Sequence, residues 1–269
     1  MTRDSRTVLL DVGGTFIKCE DGRQVPIRSA GSREEISGAL RAAVGPVGDL
    51  AALGVAIPGP FDYRNGVFLM KHKFAAVYGC GFRELAGIPD GFPAVFLHDV
   101  NAVLEGAVAG MGLEGENCAL VTLGTGLGFS VAMKGKVLCN EQGSPARGLW
   151  NKPWEGGILE DRISARGISG AYAKLSGESG LSAFEISQRA RSGDAAALQT
   201  YEETGALLGS MLKAEVKELG LGTILMGGQI SKSLDLMEGR IREALPGVRI
   251  LPAPAGAVFD GLRAAVSRP

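Results

Sequence analysis

Two stretches of this 269-residue chain follow one plan. Thr7 to Val12 is a short, nearly all-apolar run. It ends in the turn Gly13-Gly14-Thr15, Phe16 to Glu20 follows, and Asp21-Gly22 signals a hairpin back through Val25 to Ser29. Cys118 to Leu123 is a second such run, followed by Gly124-Thr125-Gly126-Leu127-Gly128, by Phe129 to Met133, and by Lys134-Gly135 turning into Val137-Leu138. Short aliphatic and β-branched runs read as strands buried on both faces, and the Gly-containing dipeptides read as hairpins. The recurrence predicts an internal duplication, two α/β lobes that each open with strand, glycine turn, strand and hairpin, although no residue-level repeat supports it. It also excludes a Rossmann dinucleotide site, whose glycine turn must lead from a strand into a helix, and no GxxxxGK[ST] segment occurs.

Between the two turns lies Phe96-Leu97-His98-Asp99-Val100-Asn101-Ala102. The apolar run from Ala94 to Leu97 stops at a carboxylate, and a small-residue stretch of helical character continues to about Met111. A carboxylate where a strand gives way to a helix sits at the mouth of an α/β sheet, where ligands gather. One carboxylate between two candidate phosphate cradles suggests phosphoryl transfer, with Asp99 taking the proton from an acceptor hydroxyl. A helix N-cap is the plainer reading, and the two roles are compatible. Asp11 beside the first turn would hold Mg²⁺ through water, and the glycines would let peptide N–H groups converge on phosphate oxygens; an ordinary tight hairpin is the alternative.

The remaining candidates each have a plainer reading beside them. Thr125 would add a hydroxyl donor to the second turn. Lys18 would meet a phosphate or stay solvated. His98 is expected to alternate to the face opposite Asp99 and to be packed or hydrogen-bonded there. Asn101 would orient the acceptor or the base, or serve as a capping residue. His72 and Lys73 lie in a polar loop and would reach an acceptor, or simply be surface charge. Gly227-Gly228-Gln229 follows the strand Ile224 to Met226 and opens a helix from about Ser231 to Ala244. Its glycines would let a flat adenine lie against backbone, or would form one more strand–helix turn.

The sequence further predicts helices over Ser32 to Val44, opened by a Ser32–Glu35 capping box, and over Phe82–Ala86, Ile158–Arg166, Ala183–Arg191, Ala195–Leu219 and Gly256 to Val266. Strands are expected over Leu50–Ile57 and Val248–Leu251, a hairpin at Asn65-Gly66, and a loop over Asn140 to Gly157. The lobes are expected at 1–105 with 256–269, and at 106–255. The 41 glycines, roughly twice the usual ~7%, agree with many tight turns. A net charge of -1 leaves no electrostatic footprint for nucleic acid. Four separated cysteines and two histidines argue against a zinc cluster or a disulfide framework and for reduced thiols in a cytoplasmic protein. Met1 to Arg6 has no apolar signal core, and no apolar run of about 18 residues offers a membrane span.

Taken together and in order, these stretches resemble the ROK family (repressor, open reading frame, kinase) of sugar kinases. DVGGTFIK is similar to the family's first phosphate motif, TLGTGLG to its second, HDVNA to the segment with the catalytic aspartate, MGGQIS to the adenosine motif and GVAIPGP to the connecting segment. The resemblance implies the actin/hexokinase-like (ribonuclease H-like) fold of two α/β lobes around a cleft, and an ATP- and Mg²⁺-dependent kinase acting on a small sugar, with a homodimer expected. It makes Asp99 the base and sets Asp11 on Mg²⁺. Gly13, Gly14, Thr15, Gly124, Thr125, Gly126 and Gly128 would lie on phosphate, and Gly227 and Gly228 on adenosine. Three departures concern the sugar side. The family's Gly-His segment is replaced by Glu141 to Asn151, and its zinc cysteines by Trp154 to Ser164, so no zinc is expected. Glu160 still matches the family's acceptor-binding glutamate, and Lys71 to Phe74 stand where a sugar-contacting Asn is expected. Zinc-less relatives include polyphosphate-dependent glucokinases, which leaves the donor open. A non-catalytic sugar-binding protein is the further alternative. Only six residues precede the first expected strand, so the DNA-binding segment of family repressors is not expected.

Overall fold

The computed structural model describes residues 6–268, and the chain divides into two compact units. The first comprises the chain up to Met111, Cys139–Ala146 and the chain from Pro254 on; the second comprises Gly112–Leu138 and Arg147–Ala253. The boundary expected at 105/106 falls inside a helix that runs unbroken to Met111. The expected division also misses Cys139–Ala146, which is held to the first unit by bonds described below.

In the first unit β1 (Arg6–Val12) and β2 (Phe16–Cys19) enclose the first glycine turn, and β3 (Gln24–Pro26) returns beyond the Asp21-Gly22 hairpin. Helix α1 (Arg33–Val44) begins at the Ser32–Glu35 capping box and leads to β4 (Leu50–Ile57). The hairpin β5 (Phe61–Asp62) and β6 (Val67–Phe68), helix α2 (Phe82–Ala86) and β7 (Ala94–His98) follow, and α3 (Asp99–Met111) starts directly at the end of β7.

The second unit opens with β8 (Cys118–Leu123), β9 (Leu127–Met133) and β10 (Lys136–Val137). Gly128 therefore lies within β9, paired with Thr122 in the ladder, and not in the turn. The stretch expected as loop contains a small hairpin, β11 (Pro153–Trp154) and β12 (Gly157–Ile158). The helix expected over Ile158–Arg166 is instead a short α4 (Glu160–Ile163) broken at Ser164, followed by α5 (Ala165–Ser176). The extended backbone of Ser164 restarts the helix with a new axis. Helices α6 (Ala183–Arg191) and α7 (Ala195–Leu219) and strand β13 (Thr223–Gly227) come next. The expected helix from Ser231 to Ala244 is split at Met237 into a 3-10 segment, Ile230–Leu236, itself kinked where Ser233 leaves helical geometry, and α8 (Glu238–Ala244). Strand β14 (Arg249–Pro252) closes this unit, and α9 (Ala257–Val266) belongs to the first.

The two sheets share one topology, β3-β2-β1-β4-β7 and β10-β9-β8-β13-β14. In each, the first two connections are antiparallel hairpins around a glycine turn, and the last two strands run parallel to the first. Parallel neighbours require crossovers, which the helices supply.

Alternation along β1 divides the first unit's core. Val8, Leu10 and Val12 join a large aliphatic and aromatic cluster with Ile36 and Leu40 of α1, whereas Leu9 packs with Ala56, Ala102 of α3 and Leu262 of α9. Asp11 shares the parity of Leu9, so the strand end delivers its carboxylate to the α3 side. The second unit packs its sheet against α5, α6 and α7 through Ile168, Tyr172, Ile186, Tyr201 and Leu208. There Glu215 of α7 is buried but doubly paired, with Arg147 Nη1 at 3.0 Å and Lys152 Nζ at 2.7 Å, which ties the segment before β11 to the helix. Among the described residues no helix is long and apolar enough to cross a membrane.

Candidate active site

Asp99 begins a helix directly where a strand ends, and that junction decides its surroundings. Period-2 alternation stops where β7 turns into α3, so neighbouring side chains converge instead of facing apart. His98 Nδ1 lies 2.7 Å from Asp99 Oδ1, and the Val100 N–H donates to the same oxygen at 2.8 Å. This corrects the expected placement of His98 on the opposite face. Oδ1 thus carries the Val100 hydrogen bond and the His98 contact, while Oδ2 accepts no hydrogen bond from the described residues. Burial pushes the Asp99 carboxyl up, but the His98 hydrogen bond and charge, the Val100 N–H and the Lys73 charge together outweigh it. The net effect holds the group below the usual carboxylate range. Its side chain is 39% exposed, so an ionised oxygen remains accessible.

The first glycine turn lies in the same unit. Gly13 donates its N–H to the Phe16 carbonyl at 2.9 Å, and a Cβ on Gly13 would sit 2.9 Å from that oxygen, so closure of the turn requires glycine. The carbonyls of Gly14 and Thr15 accept from Ser29 and Ile27. Among the described residues the N–H groups of Gly14 and Thr15 have no acceptor, which leaves a pair of adjacent donors open to an anion. Asp11 stands at the end of β1 with Lys18 Nζ 3.4 Å away, a loose pair in which the lysine is 56% exposed.

Burial raises the Asp11 carboxyl, the Lys18 charge lowers it and the Asp99 charge raises it again, for a net position above the usual range. An acid raised on folding weakens the fold where it is ionised, and the penalty fades as pH falls through its folded pKa. Asp11→Asn is therefore expected to raise the thermal midpoint at pH 7 by about 1–3 °C for a chain of this size, with the gain shrinking near pH 4. Melts of both proteins at the two pH values check this; an equal or lower midpoint for the variant at pH 7 would show that burial does not dominate at Asp11.

The second glycine turn repeats the arrangement within its own unit. Gly124 N bonds Gly126 O at 3.0 Å, Gly124 O accepts from Ala165 N at the start of α5, and the N–H groups of Thr125 and Gly126 have no acceptor among the described residues. Glu160, expected on the acceptor, meets this turn. Its Oε2 accepts from Leu127 N at 2.9 Å and its Oε1 from Arg166 Nη2 at 2.9 Å. A Cβ on Gly126 would come within 2.7 Å of Oε2, so the missing side chain is what admits the carboxylate. Gly228 has φ 83°, and a Cβ there would lie 2.3 Å from the Leu123 carbonyl oxygen, so glycine is demanded by the end of β8 whether or not a base rests nearby. Gly227 is buried as the last residue of β13, and Gly228 is exposed.

The other expected residues divide. Asn101 is fully buried, and its Nδ2 donates to Gly143 O at 3.2 Å and Cys139 Sγ at 3.3 Å. Both bonds reach the 139–146 segment and tie it to α3 in the first unit. His72 and Lys73 are exposed on a loop anchored by buried Phe74, whose N–H bonds Ser29 O, and Lys73 is near enough to act on Asp99. Tyr63 joins the site without any mark in the sequence. It is buried with its hydroxyl on Ile57 O at 3.0 Å, and its ring centroid is 5.6 Å from that of His98. No spacing in the sequence links Tyr63 to His98; only the pairing of β7 with β4 brings them together. Among the described residues no group of three or more His, Cys, Asp or Glu side chains could hold a metal ion.

No family model matches the sequence. N-acetylmannosamine kinases of Yersinia pseudotuberculosis and Yersinia pestis are 24% identical over 268 residues, covering 90% of this chain and 90% of theirs. A ROK hexokinase from Thermus thermophilus shares the structure with a TM-score of 0.71 and 23% identity, over 95% of this chain and 96% of that one. The fold is that of the ROK sugar kinases. A ROK family glucokinase from Streptomyces griseus, solved with glucose and AMPPNP, matches with a TM-score of 0.74 and 23% identity, over 96% of this chain and 98% of that one. The ROK resemblance carried by DVGGTFIK, TLGTGLG, HDVNA and MGGQIS thus agrees with the structural neighbours, and the actin-like α/β fold is the one expected.

Proposed function

We propose that this chain is a carbohydrate kinase that transfers the γ-phosphoryl group of ATP to a hydroxyl of a hexose-like sugar. The observation that carries the reading is Asp99, an ionised carboxylate pinned through Oδ1 with Oδ2 left unbonded among the described residues. Oδ2 accepts the proton of the acceptor hydroxyl as its oxygen forms the new bond to phosphorus and the bond to the ADP oxygen breaks. The open N–H pairs at Gly14 and Thr15 and at Thr125 and Gly126 are the donors available to phosphate oxygens, and Gly227 and Gly228 would border the adenosine. One carboxylate beside open peptide N–H groups suits Mg²⁺, a hard ion that keeps several waters and takes one or two carboxylates together with substrate phosphates. Asp11 would hold it there, and the ion would offset phosphate charge.

Names of relatives guide the acceptor: N-acetylmannosamine kinases among the curated proteins and a glucokinase among the structures. His72, Lys73 and Glu160 are the residues proposed to select it, Glu160 by exchanging part of its bond to the second turn for an acceptor hydroxyl. The test is ADP release from Mg·ATP over a panel of hexoses, N-acetylhexosamines and sugar acids. Stimulation by one class supports the reading. Bound nucleotide with no stimulation by any sugar would sink it in favour of a sensor, and faster turnover with polyphosphate would change the donor. The protein is further proposed to work without zinc and as a homodimer. Metal analysis of the purified protein is expected to find zinc well below one per chain, and sedimentation is expected to give twice the chain mass.

A further inference from the structure

Among the described residues His98 is the one ionisable side chain within ion-pair distance of Asp99, its Nδ1 2.7 Å from Oδ1, and it is itself held in place. Its ring lies against the Gly59 backbone, where an added Cβ would be 3.4 Å from Nε2, and beside the Tyr63 ring at 5.6 Å. Tyr63 is fixed in turn through its hydroxyl to Ile57 O and its N–H to Gln142 O at 3.0 Å. Ile57 is the β4 residue directly across from His98. At 2.7 Å from a carboxylate oxygen, Nδ1 must carry the hydrogen, since an unprotonated nitrogen would set two lone pairs against each other. The Val100 N–H, 3.4 Å from Nδ1 but 2.8 Å from Oδ1, belongs to the carboxylate for the same reason.

We propose that His98 is the positioning residue of the base: its Nδ1–H, with the Val100 N–H, locks Oδ1 and so directs Oδ2, the free oxygen, to the acceptor hydroxyl. The inference rests on the kinase reading. A carboxylate held by one backbone donor alone rotates about its χ2 bond and exchanges its two oxygens. With a second donor at a fixed angle, rotation breaks both bonds at once. The imidazole, clamped between Gly59 and Tyr63, has the fixed position that such a second donor needs. The Phe61–Tyr63–His98 ring contacts extend the clamp into the aromatic core of the first unit.

The chain has two histidines, His72 and His98, so its imidazole spectra are simple to assign, with His72→Gln leaving one set of signals. Long-range ¹H–¹⁵N spectra of the whole protein are expected to show His98 as the Nδ1–H tautomer with a hydrogen-bonded, downfield proton that Asp99→Ala abolishes. An Nε2–H tautomer overturns the proposal. In the kinase assay His98→Leu, which keeps volume without a donor, is expected to lower kcat by about 10- to 100-fold, the size of loss that accompanies misplaced groups. KM for sugar and ATP should stay within about twofold. His98→Asn places an amide N–H near the position of Nδ1 and is expected to recover most of the lost kcat. Wild-type kcat in His98→Leu, a defect confined to KM, or no recovery in His98→Asn would each overturn the proposal. If no sugar stimulates the wild type, the kinase reading falls, and the spectra still decide whether Asp99 is held by His98.

Discussion

Asp99→Asn is expected to lower kcat by about 10²- to 10⁴-fold, the span of general-base losses, while nucleotide still binds. The substitution is close to isosteric. The remaining carbonyl oxygen still accepts from the Val100 N–H and stays beside His98 Nδ1, so the local geometry at the β7–α3 junction survives. What changes is the second atom, where an amide NH₂ replaces the oxygen that takes the proton. The defect should therefore fall on kcat, with KM for both substrates little altered. Sugar-stimulated ADP release and nucleotide titration measure the two halves of this expectation. A kcat within about tenfold of wild type would move the base elsewhere, because general-base losses start near 10².

Stability should respond with the opposite sign from Asp11→Asn. The Asp99 carboxyl is held below the usual range, so its ionised form contributes stability above the unfolded pKa, and this is lost as pH falls through the folded pKa. Removing the charge should lower the midpoint at pH 7, whereas removing the raised carboxyl of Asp11 should increase it. On acidification Asp11 protonates before Asp99, so the first acid limb of activity should reflect Asp11.

Gly106→Val is expected to destabilise the first unit by more than about 3 kcal/mol, at or above the upper end for overpacked sites. Helices α3 and α9 touch backbone to backbone there. A Cβ on Gly106 would lie 1.9 Å from the Ala257 carbonyl oxygen, and one on Gly261 would lie 2.0 Å from that of Ala102. No rotamer change relieves either contact, because the obstructing atoms are main chain. The helices would have to separate by more than an ångström, and α3 carries Asp99 at its first residue and Asn101 two residues later. The variant should lose midpoint by roughly 6–12 °C and lose activity with it. Gly110 is the internal control. It lies on the same helix, and a Cβ added there would have nothing within 4 Å, so Gly110→Ala should be neutral or stabilise by up to about 1 kcal/mol. Calorimetry of the three proteins checks both expectations; a Gly106→Val midpoint equal to wild type would show that the crossing is looser than the structure indicates.

Much of the fold is legible in local pattern. Helices α1, α2, α6, α7 and α9 lie within a residue of their expected limits because capping boxes, aliphatic spacing and terminal glycines are short-range signals. Both glycine turns are equally plain, as each must sit between strands. The break at Ser164 and the kink at Ser233 carry no such signal, since neither Pro nor Gly marks them.

The sequence by itself determined which groups are present: a carboxylate at a strand–helix junction, two glycine turns with open N–H pairs, and a repeated plan that the two sheets share. Tertiary structure alone decided how those groups are used. Strand alternation, carried one residue too far, turns His98 away from Asp99, and the actual turn into α3 reverses it. Glu160, at the first residue of α4, accepts from the N–H of Leu127, 33 residues earlier in the chain. Asn101 donates its Nδ2 to Gly143 O, 42 residues later, a partner that no local pattern names. Local rules set φ, ψ and the order of polar and apolar positions. Hydrogen-bond partners far apart in the chain are chosen by which strands pair and how closely helices pack, and those choices depend on contacts that no short window of sequence contains.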